Sequence, residues 1–453
     1  MARFVFYGIF PDGARQSLCY DSAASTLTWR DGSPVVETQP QVFQDASVLS
    51  LNQPGKKSNI RVLKISLGLS CNYSCSYCSQ RFVPQAEHAN PERVEPFLEQ
   101  LNAALTEAPK RIEFWGGEPF VYWKTLKPLA EALRARYPEA EFSIITNGSL
   151  LDAEKNAWLD RLGFAVGLSH DGPGYAARGV DPLDDESKRA AIMDLWQRLK
   201  PQGRISVNAM IHQGNPSRAA IQTWLQERFG DDVPIGEGTF IDPYDAGGLA
   251  SVFTQQDEHW SYRRLAFEEL RQGKASNFHV AHQKIQDFVQ SLRTARPSSS
   301  LGQKCSMDRT DHIAVDLYGR VLTCQNTSAA AIAPNGQAHH IGNLSALHEV
   351  QMKTSTHWSQ REQCPKCPVL QLCKGGCMFL EGPLWQAGCD AAYSDNLPFL
   401  AAAIEYLTGM ALLWIEGDLP LERKDVFGLM TAQPRPAKKS VIPIYPMKGD
   451  PSL

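Results

Sequence analysis

The sequence has no cysteine between Cys78 and Cys305. It has no excess of either charge: 45 Lys and Arg face 49 Asp and Glu, a formal net charge of −4. That balance lacks the basic footprint of nucleic-acid-binding chains, so no nucleic-acid partner is expected. Nor is there an uninterrupted run of about 20 apolar residues, the length a bilayer core requires. The most apolar stretch, Leu397 to Ile415, carries Glu405 and Gly409 and breaks at Glu416-Gly417. A buried C-terminal helix is expected there, with no membrane association. The opening residues, Met1 to Tyr7, do not resemble a secretion signal and read as a strand. A chain of 453 residues can build its own core, and without a signal a disulfide framework is not expected. A reducing, cytoplasmic setting is expected, in which clustered cysteines serve metals.

Ten of the eleven cysteines fall into an early group, Cys71, Cys75 and Cys78, and a late group, Cys305, Cys324, Cys364, Cys367, Cys373, Cys377 and Cys389. Cys19 stands apart and reads as a small packed residue. Residues 1–60 form a β-rich extension with strand-like runs Arg3–Phe10 and Thr26–Arg30, closed by a linker at Gln53–Lys57. From 61 short apolar strands alternate with helices. Strands are predicted at Arg61–Leu69, Arg111–Trp115, Glu141–Thr146, Phe164–Ser169, Arg204–Ile211 and Ile235–Ile241. Helices are predicted at Pro91–Thr106, Leu126–Arg136, Ala153–Leu162, Glu186–Leu199, Ser217–Phe229 and Gln256–Arg271. That rhythm predicts an α/β fold, a partial (β/α)6 TIM-like barrel over residues 61–298. A small Cys-rich domain follows over 299–396, then a C-terminal helix and an extended tail over 397–453, with the tail starting near Pro434.

Cys71-x3-Cys75-x2-Cys78 follows the first barrel strand directly. Three thiolates can hold three irons of a [4Fe–4S] cluster, which normally takes four protein ligands, so one iron stays open to a small molecule. A zinc site is the alternative; it wants a fourth ligand, and His88 is the nearest in sequence. The spacing resembles that of radical S-adenosylmethionine (SAM) enzymes. The resemblance implies that the open iron chelates SAM and that an electron from the cluster cleaves it to a 5′-deoxyadenosyl radical. Further segments share the resemblance. Gly116-Gly117-Glu118-Pro119 is similar to the motif that contacts the SAM amino group. Thr146-Asn147-Gly148 and Ser169-His170-Asp171-Gly172 are similar to segments that line the ribose and the substrate. Arg178 is expected at the SAM carboxylate and Tyr77 at the adenine. All but Tyr77 and Arg178 lie at the C-terminal ends of predicted strands, where barrel folds place active sites.

The late group reads Cys305-x13-Gly319-x4-Cys324, Cys364-x2-Cys367-x5-Cys373-x3-Cys377, then Cys389. It resembles the SPASM domain, a C-terminal extension of many radical SAM enzymes. That resemblance implies two auxiliary [4Fe–4S] clusters, one held by Cys305, Cys324 and Cys377 and one by Cys364, Cys367, Cys373 and Cys389. With no cysteine between 79 and 304, the first of these either keeps an open iron or takes Asp308, Asp311 or His312. Read alone, the last four cysteines would also pass for a zinc site.

Enzymes with this domain pair largely modify peptides and proteins, by side-chain oxidation, thioether or carbon–carbon crosslinking, or backbone excision. A peptide or protein substrate is therefore expected, with flavodoxin or ferredoxin as reductant. A sugar or amine substrate, or a non-catalytic iron–sulfur or zinc protein, are the alternatives. Oxidative chemistry needs a base; Asp171 is the first candidate and His170, His212 and Asp242 are alternates. The first 60 residues do not resemble the helical bundle that recognises leader peptides. Leader recognition would then fall to a separate protein or to an exposed strand edge.

Overall fold

The computed structural model describes residues 2–46, 48–49, 55–230 and 232–430. The predicted linker residues Gln53 and Pro54 and the predicted tail from Pro434 lie outside these. Three antiparallel strands open the chain: β1 (Arg3–Ile9), β2 (Arg15–Asp21) and β3 (Thr26–Trp29). Six parallel strands follow: β4 (Val62–Ser66), β5 (Arg111–Trp115), β6 (Glu141–Thr146), β7 (Phe164–Ser169), β8 (Ile205–Asn208) and β9 (Ile235–Glu237). Helices α1 (Val94–Ala104), α2 (Trp123–Arg136), α3 (Ala153–Arg161), α4 (Glu186–Leu199) and α5 (Arg218–Phe229) connect them. Local chemistry sets several helix starts. Asp152, Asp185 and Ser217 each accept from backbone N–H groups of the first turn, satisfying donors that the helix itself leaves open.

The six parallel strands lie in sequence order, β4 to β9. Their side chains alternate. In β5, Ile112 and Phe114 are buried toward the helices, while Glu113 and Trp115 face inward. Lys64, Glu113, Ser143, Gly167, Asn208 and Gly236, one from each strand, line a single cavity of about 1360 Å³. This is an α/β fold with an open, partial (β/α)6 barrel.

Three more strands extend the sheet: β10 (His312–Asp316), β11 (Arg320–Leu322) and β12 (His340–Asn343). β10 runs parallel to β4, pairing Ala314 with Lys64, and β11 and β12 follow antiparallel. The Cys-rich region thus begins as a continuation of the barrel sheet, and β4, flanked on both edges, is wholly buried. Short strands after a turn gave no sequence sign of joining the barrel.

Two expectations are corrected, and two elements are new. Leu397–Ile415 is not one helix: helix Gly382–Thr408 ends at Gly409, which closes it in the left-handed conformation at φ +74°. Residues Ala411–Glu416 then form β13, which pairs with β1, Phe6 opposite Ile415. Both ends of the described chain therefore share one sheet, β13-β1-β2-β3. The sixth barrel strand stops at Glu237, short of the expected Ile241, and helix His279–Arg293 and strand β2 were not expected at all. Phe4, Phe6, Leu18 and Tyr20 bury the inner face of the small sheet, and Tyr20 meets Phe288 of that unexpected helix at 5.8 Å between ring centres. Among the described residues no helix is long and apolar enough to cross a membrane.

Candidate active site and thiol centres

The motifs at the ends of β4, β5, β6 and β7 meet, because those strands are parallel neighbours. Gly116 and Gly117 let the end of β5 press against the loop after β4. A Cβ on Gly117 would stand 2.3 Å from Ser70 O and 2.5 Å from Leu69 O, closer than any side chain tolerates. In that space Gly117 N donates to Gly68 O at 3.0 Å and Glu118 N to Ser70 O at 2.9 Å. The loop bearing Cys71 is thereby pinned to β5.

Glu118 is 1% exposed and turns inward. Its carboxylate accepts from Thr146 Oγ1 at 2.8 Å, Asn147 N at 2.8 Å and Phe120 N at 3.2 Å. Burial pushes its carboxyl up to about 7, against the pull of these donors. Asn147 Nδ2 donates to Asn72 Oδ1 at 2.9 Å, Asn72 Nδ2 to Ser149 Oγ at 2.7 Å, and Ser149 Oγ to Asn147 Oδ1 at 2.6 Å. Asn72 sits between Cys71 and Cys75, so this ring ties the thiol loop to the β6 turn. The sequence pattern did not single out Asn72 or Ser149; a short polar side chain inside the thiol loop was the available sign.

Cys71, Cys75 and Cys78 lie close enough to feel one another's charge, and burial pushes the Cys75 thiol up to about 11. Around them Asp171 holds a second network. It is fully buried. Its carboxylate accepts from Arg178 Nη2 at 2.9 Å, Met210 N at 2.9 Å and the Tyr77 hydroxyl. Arg178 also faces the Tyr77 ring at 5.7 Å and acts on Cys75 through its charge. Asp171, the first candidate base, thus has a carboxylate that already takes three donors, one of them its ion-pair partner Arg178. His170, an alternate, is also engaged. Its Nδ1 accepts from Gly172 N at 3.0 Å, which places the proton on Nε2 toward Asp181 at 3.0 Å, and the ring stacks on Trp224. Ser169, half-buried at the end of β7, sits beside Asn208 of β8. His212 is buried 5.5 Å from the Tyr77 ring, and its Nε2 has no hydrogen-bond partner among the described residues. Burial lowers the pKa of its imidazole.

The late cysteines divide between two spaces. Cys305, Cys324 and Cys377 line the barrel cavity together with Lys64, Asp242, Tyr244 and Lys304. Cys364, Cys367, Cys373 and Cys389 line a separate small cavity with Trp385, Tyr393 and Arg423. Burial pushes Cys364 up to about 11 and Cys373 and Cys377 up to about 12. Such thiols ionise only beside strong positive charge, which is what a metal ligand set requires. All eleven thiols are free. Among the described residues no three Cys, His, Asp or Glu side chains converge on a point where one ion would fit. The late thiols surround spaces, an arrangement that suits a cluster of several irons better than a zinc tetrahedron.

The oxygen and nitrogen ligands considered from sequence fare differently. Asp311 is held by Arg309 at 3.0 Å and His312 at 2.8 Å, and Asp308 accepts from Gln303 N at 2.9 Å. Asp242 lies just past the end of β9. It faces the cavity beside Cys377 and Lys304, and burial raises its pKa. Tyr244 shares a hydrogen bond with Cys377. Sequence reasoning passed over Tyr244, although it lies just past a barrel strand. It also passed over Lys64, a lone charge in the apolar run of β4, which sits 3.5 Å from Glu113 and 5.5 Å from the Trp115 ring.

An open parallel barrel with a three-thiol loop fastened to its strand ends defines a class: iron–sulfur enzymes that bind SAM. Comparison with known proteins agrees. The Radical SAM superfamily model matches residues 65–215. A serine-type anaerobic sulfatase-maturating enzyme of Klebsiella aerogenes is 32% identical over 363 residues, covering 72% of this chain and 81% of that protein. The radical SAM cyclopropyl synthase TigE of Paramaledivibacter caminithermalis is 24% identical over 177 residues; these span 35% of this chain and only 38% of that protein. The solved structure of anSMEcpe with bound AdoMet and the Kp18Cys peptide superposes with a TM-score of 0.55 at 19% identity, over 77% of this chain and 98% of that one. The chain belongs to the radical SAM superfamily, in its sulfatase-maturating-enzyme-like branch with a C-terminal SPASM domain. It is thus a radical SAM enzyme of the maturase type, using SAM and a [4Fe–4S] cluster.

Proposed function

We propose that the chain oxidatively modifies a peptide or protein, using three [4Fe–4S] clusters. Cys71, Cys75 and Cys78 would hold the cluster that binds SAM. Cys305, Cys324 and Cys377 would hold one auxiliary cluster, and Cys364, Cys367, Cys373 and Cys389 the other. What SAM and its cluster supply when bound is a 5′-deoxyadenosyl radical that removes a hydrogen atom from the substrate. The chain's own residues do the rest. Glu118, Thr146, Asn147 and Asn72 fix the thiol loop against the strand ends. Asp171 holds Arg178 and Tyr77 in place beside Cys75, and the residues expected at SAM (Gly116, Gly117, Ser169, Arg178) surround that loop.

The observation that carries the peptide reading is the cavity. Its volume is about 1360 Å³, of which the auxiliary cluster at Cys305, Cys324 and Cys377 would fill one part and the substrate the rest. Its inner wall is lined by small groups, Ala165, Gly167, Ser206 and Gly236, which leave room for a chain with side chains. The relatives support the same reading, since one matures sulfatases and the superposed structure holds a peptide. Asp242 is the base we assign: it faces this cavity, and its raised pKa favours taking a proton there. The reductant is a flavodoxin or ferredoxin and the setting cytoplasmic, which fits oxygen-sensitive clusters. Leader recognition, where the substrate has a leader, falls to a separate protein or to an exposed strand edge.

The test is isotopic. The anaerobically reconstituted, reduced enzyme is given SAM and a pool of synthetic peptides deuterated at Cα and Cβ. Deuterium should appear in 5′-deoxyadenosine. Transfer from deuterated sugars or amines, with none from peptides, would reject the peptide reading and leave the radical chemistry standing.

A further inference from the structure

We propose that Arg423 raises the reduction potential of the cluster held by Cys364, Cys367, Cys373 and Cys389, through a charged hydrogen bond to Cys389. The inference rests on the reading that these four thiols hold a cluster. Arg423 lies outside every cysteine pattern in the sequence. Its Nη2 donates to Cys389 Sγ at 3.2 Å and to Asp390 Oδ1 at 2.7 Å. Its guanidinium carbon lies 4.8 Å from the Tyr393 ring centre, and the residue is 8% exposed. It lines the same small cavity as the four thiols.

The C-terminal segment that carries it is held by Tyr393 of the Cys-rich domain and by Trp260 and Arg263. Tyr393 donates its hydroxyl to Arg423 O at 2.7 Å, and Arg263 Nη1 donates to Glu422 O at 3.1 Å. Trp260 Nε1 donates to Asp425 O at 3.1 Å. The buried Asp425 carboxylate accepts from Gly428, Leu429 and Met430 N–H groups at 2.8, 3.1 and 2.8 Å. The guanidinium is thus delivered to the sulfur from a rigid backbone.

The electrostatics follow. Reducing a cluster adds one negative charge, and a buried cation bonded to a ligand sulfur favours that state. Asp390 offsets this in part. Its side chain is 37% exposed against 10% for Arg423, so water screens the carboxylate more than the cation. A second guanidinium, Arg361, acts on Cys364 and Cys389 and also on Cys377, so its charge reaches both thiol groups. The three-thiol group differs. There Cys377 has the neutral phenol of Tyr244, and the Lys64 ammonium near Cys305 and Cys324 is paired with Glu113. The direct bond from Arg423 to Cys389 therefore makes the four-thiol cluster easier to reduce, suited to accept the electron that substrate oxidation releases.

The experiment is a redox titration of the full chain followed by electron paramagnetic resonance, on the parent, R423Q and R423M. One auxiliary signal should move to lower potential, further in R423M, which lacks any donor, than in R423Q. At the parent's midpoint its reduced fraction should fall several-fold, with bound iron unchanged. Identical titrations in all three proteins would overturn the assignment. So would loss of that cluster from both variants, which would make Arg423 a residue of cluster assembly. Iron analysis of a variant with all four cysteines changed to alanine isolates the underlying reading. If that variant keeps the parent's iron, the four thiols hold no cluster.

Discussion

Glu118 shows what burial does to one carboxyl in this site. Held near 7 in the folded chain against an ordinary 4.5, it binds its proton more tightly folded than unfolded. Its contribution to stability is therefore complete below about pH 4.5, declines as pH rises, and above about 7 becomes a cost on the order of 3 kcal/mol. Glu118→Gln carries no such charge. In cluster-free protein the melting temperature of wild type relative to Glu118→Gln should fall between pH 5 and pH 8; an equal gap at both would contradict this. Asp171 and Asp242 are expected to separate by function. Asp171→Asn loosens Arg178 and Tyr77, so SAM affinity and 5′-deoxyadenosine formation should drop together, by tenfold or more for a buried ion pair that loses one partner. Asp242→Asn should cleave SAM at a near-normal rate yet yield little peptide product, as mass spectrometry would show. The sequence named both residues, Asp171 as the first candidate base and Asp242 as an alternate. Their spacing revealed position at strand ends, but not that Tyr77 and Arg178 already occupy Asp171.

The strand ends explain why so much of the site was legible. Each motif terminates a parallel strand, and neighbouring strands must bring their ends together, so linear spacing translated directly into proximity. Gly117 is the sharpest instance. Its close approach to Ser70 O leaves no room for a methyl group, and Gly117→Ala should displace the thiol loop. Iron retention at Cys71, Cys75 and Cys78 should fall, with SAM cleavage, while Gly203→Ala, at an open turn with nothing near its Cβ position, should keep its iron. Equal iron in both would remove the close-packing argument. Elements that pair across long sequence gaps were not legible. Nothing local in Ala411–Glu416 indicates that it completes a sheet with Arg3–Ile9, nor in His312–Asp316 that it flanks β4. The apolar run there suited a helix equally well, and only the left-handed Gly409 divides it.

At the scale of the whole molecule one buried ion network joins the barrel to the late cysteines. Arg218 of α5 donates to Asp395 at 2.5 Å, Tyr262 donates at 2.6 Å, and Lys284 lies at 3.2 Å. Arg218 and Asp395 are each 2% exposed. Three helices of the barrel side thus converge on one carboxylate of helix Gly382–Thr408, which also carries Cys389. Removing that carboxylate strands two cations without water, and breaking such a pair costs on the order of 3–5 kcal/mol. Asp395→Ala should therefore melt several degrees below wild type. The loss should also be uneven. The thiol loop after β4 is held by its own hydrogen bonds to β5 and β6, whereas Cys389 depends on the helix that Asp395 anchors. Iron bound by Cys364, Cys367, Cys373 and Cys389 should leave first on gentle heating, while iron at the early loop and its SAM cleavage persist. Asp395→Asn, which keeps an acceptor for Arg218 and Tyr262 but loses the charge and the acceptor for Lys284, should fall between wild type and alanine. Simultaneous loss of all iron in Asp395→Ala would show that the early and late cysteines share one cooperative unit and that the network does not act locally on the long helix.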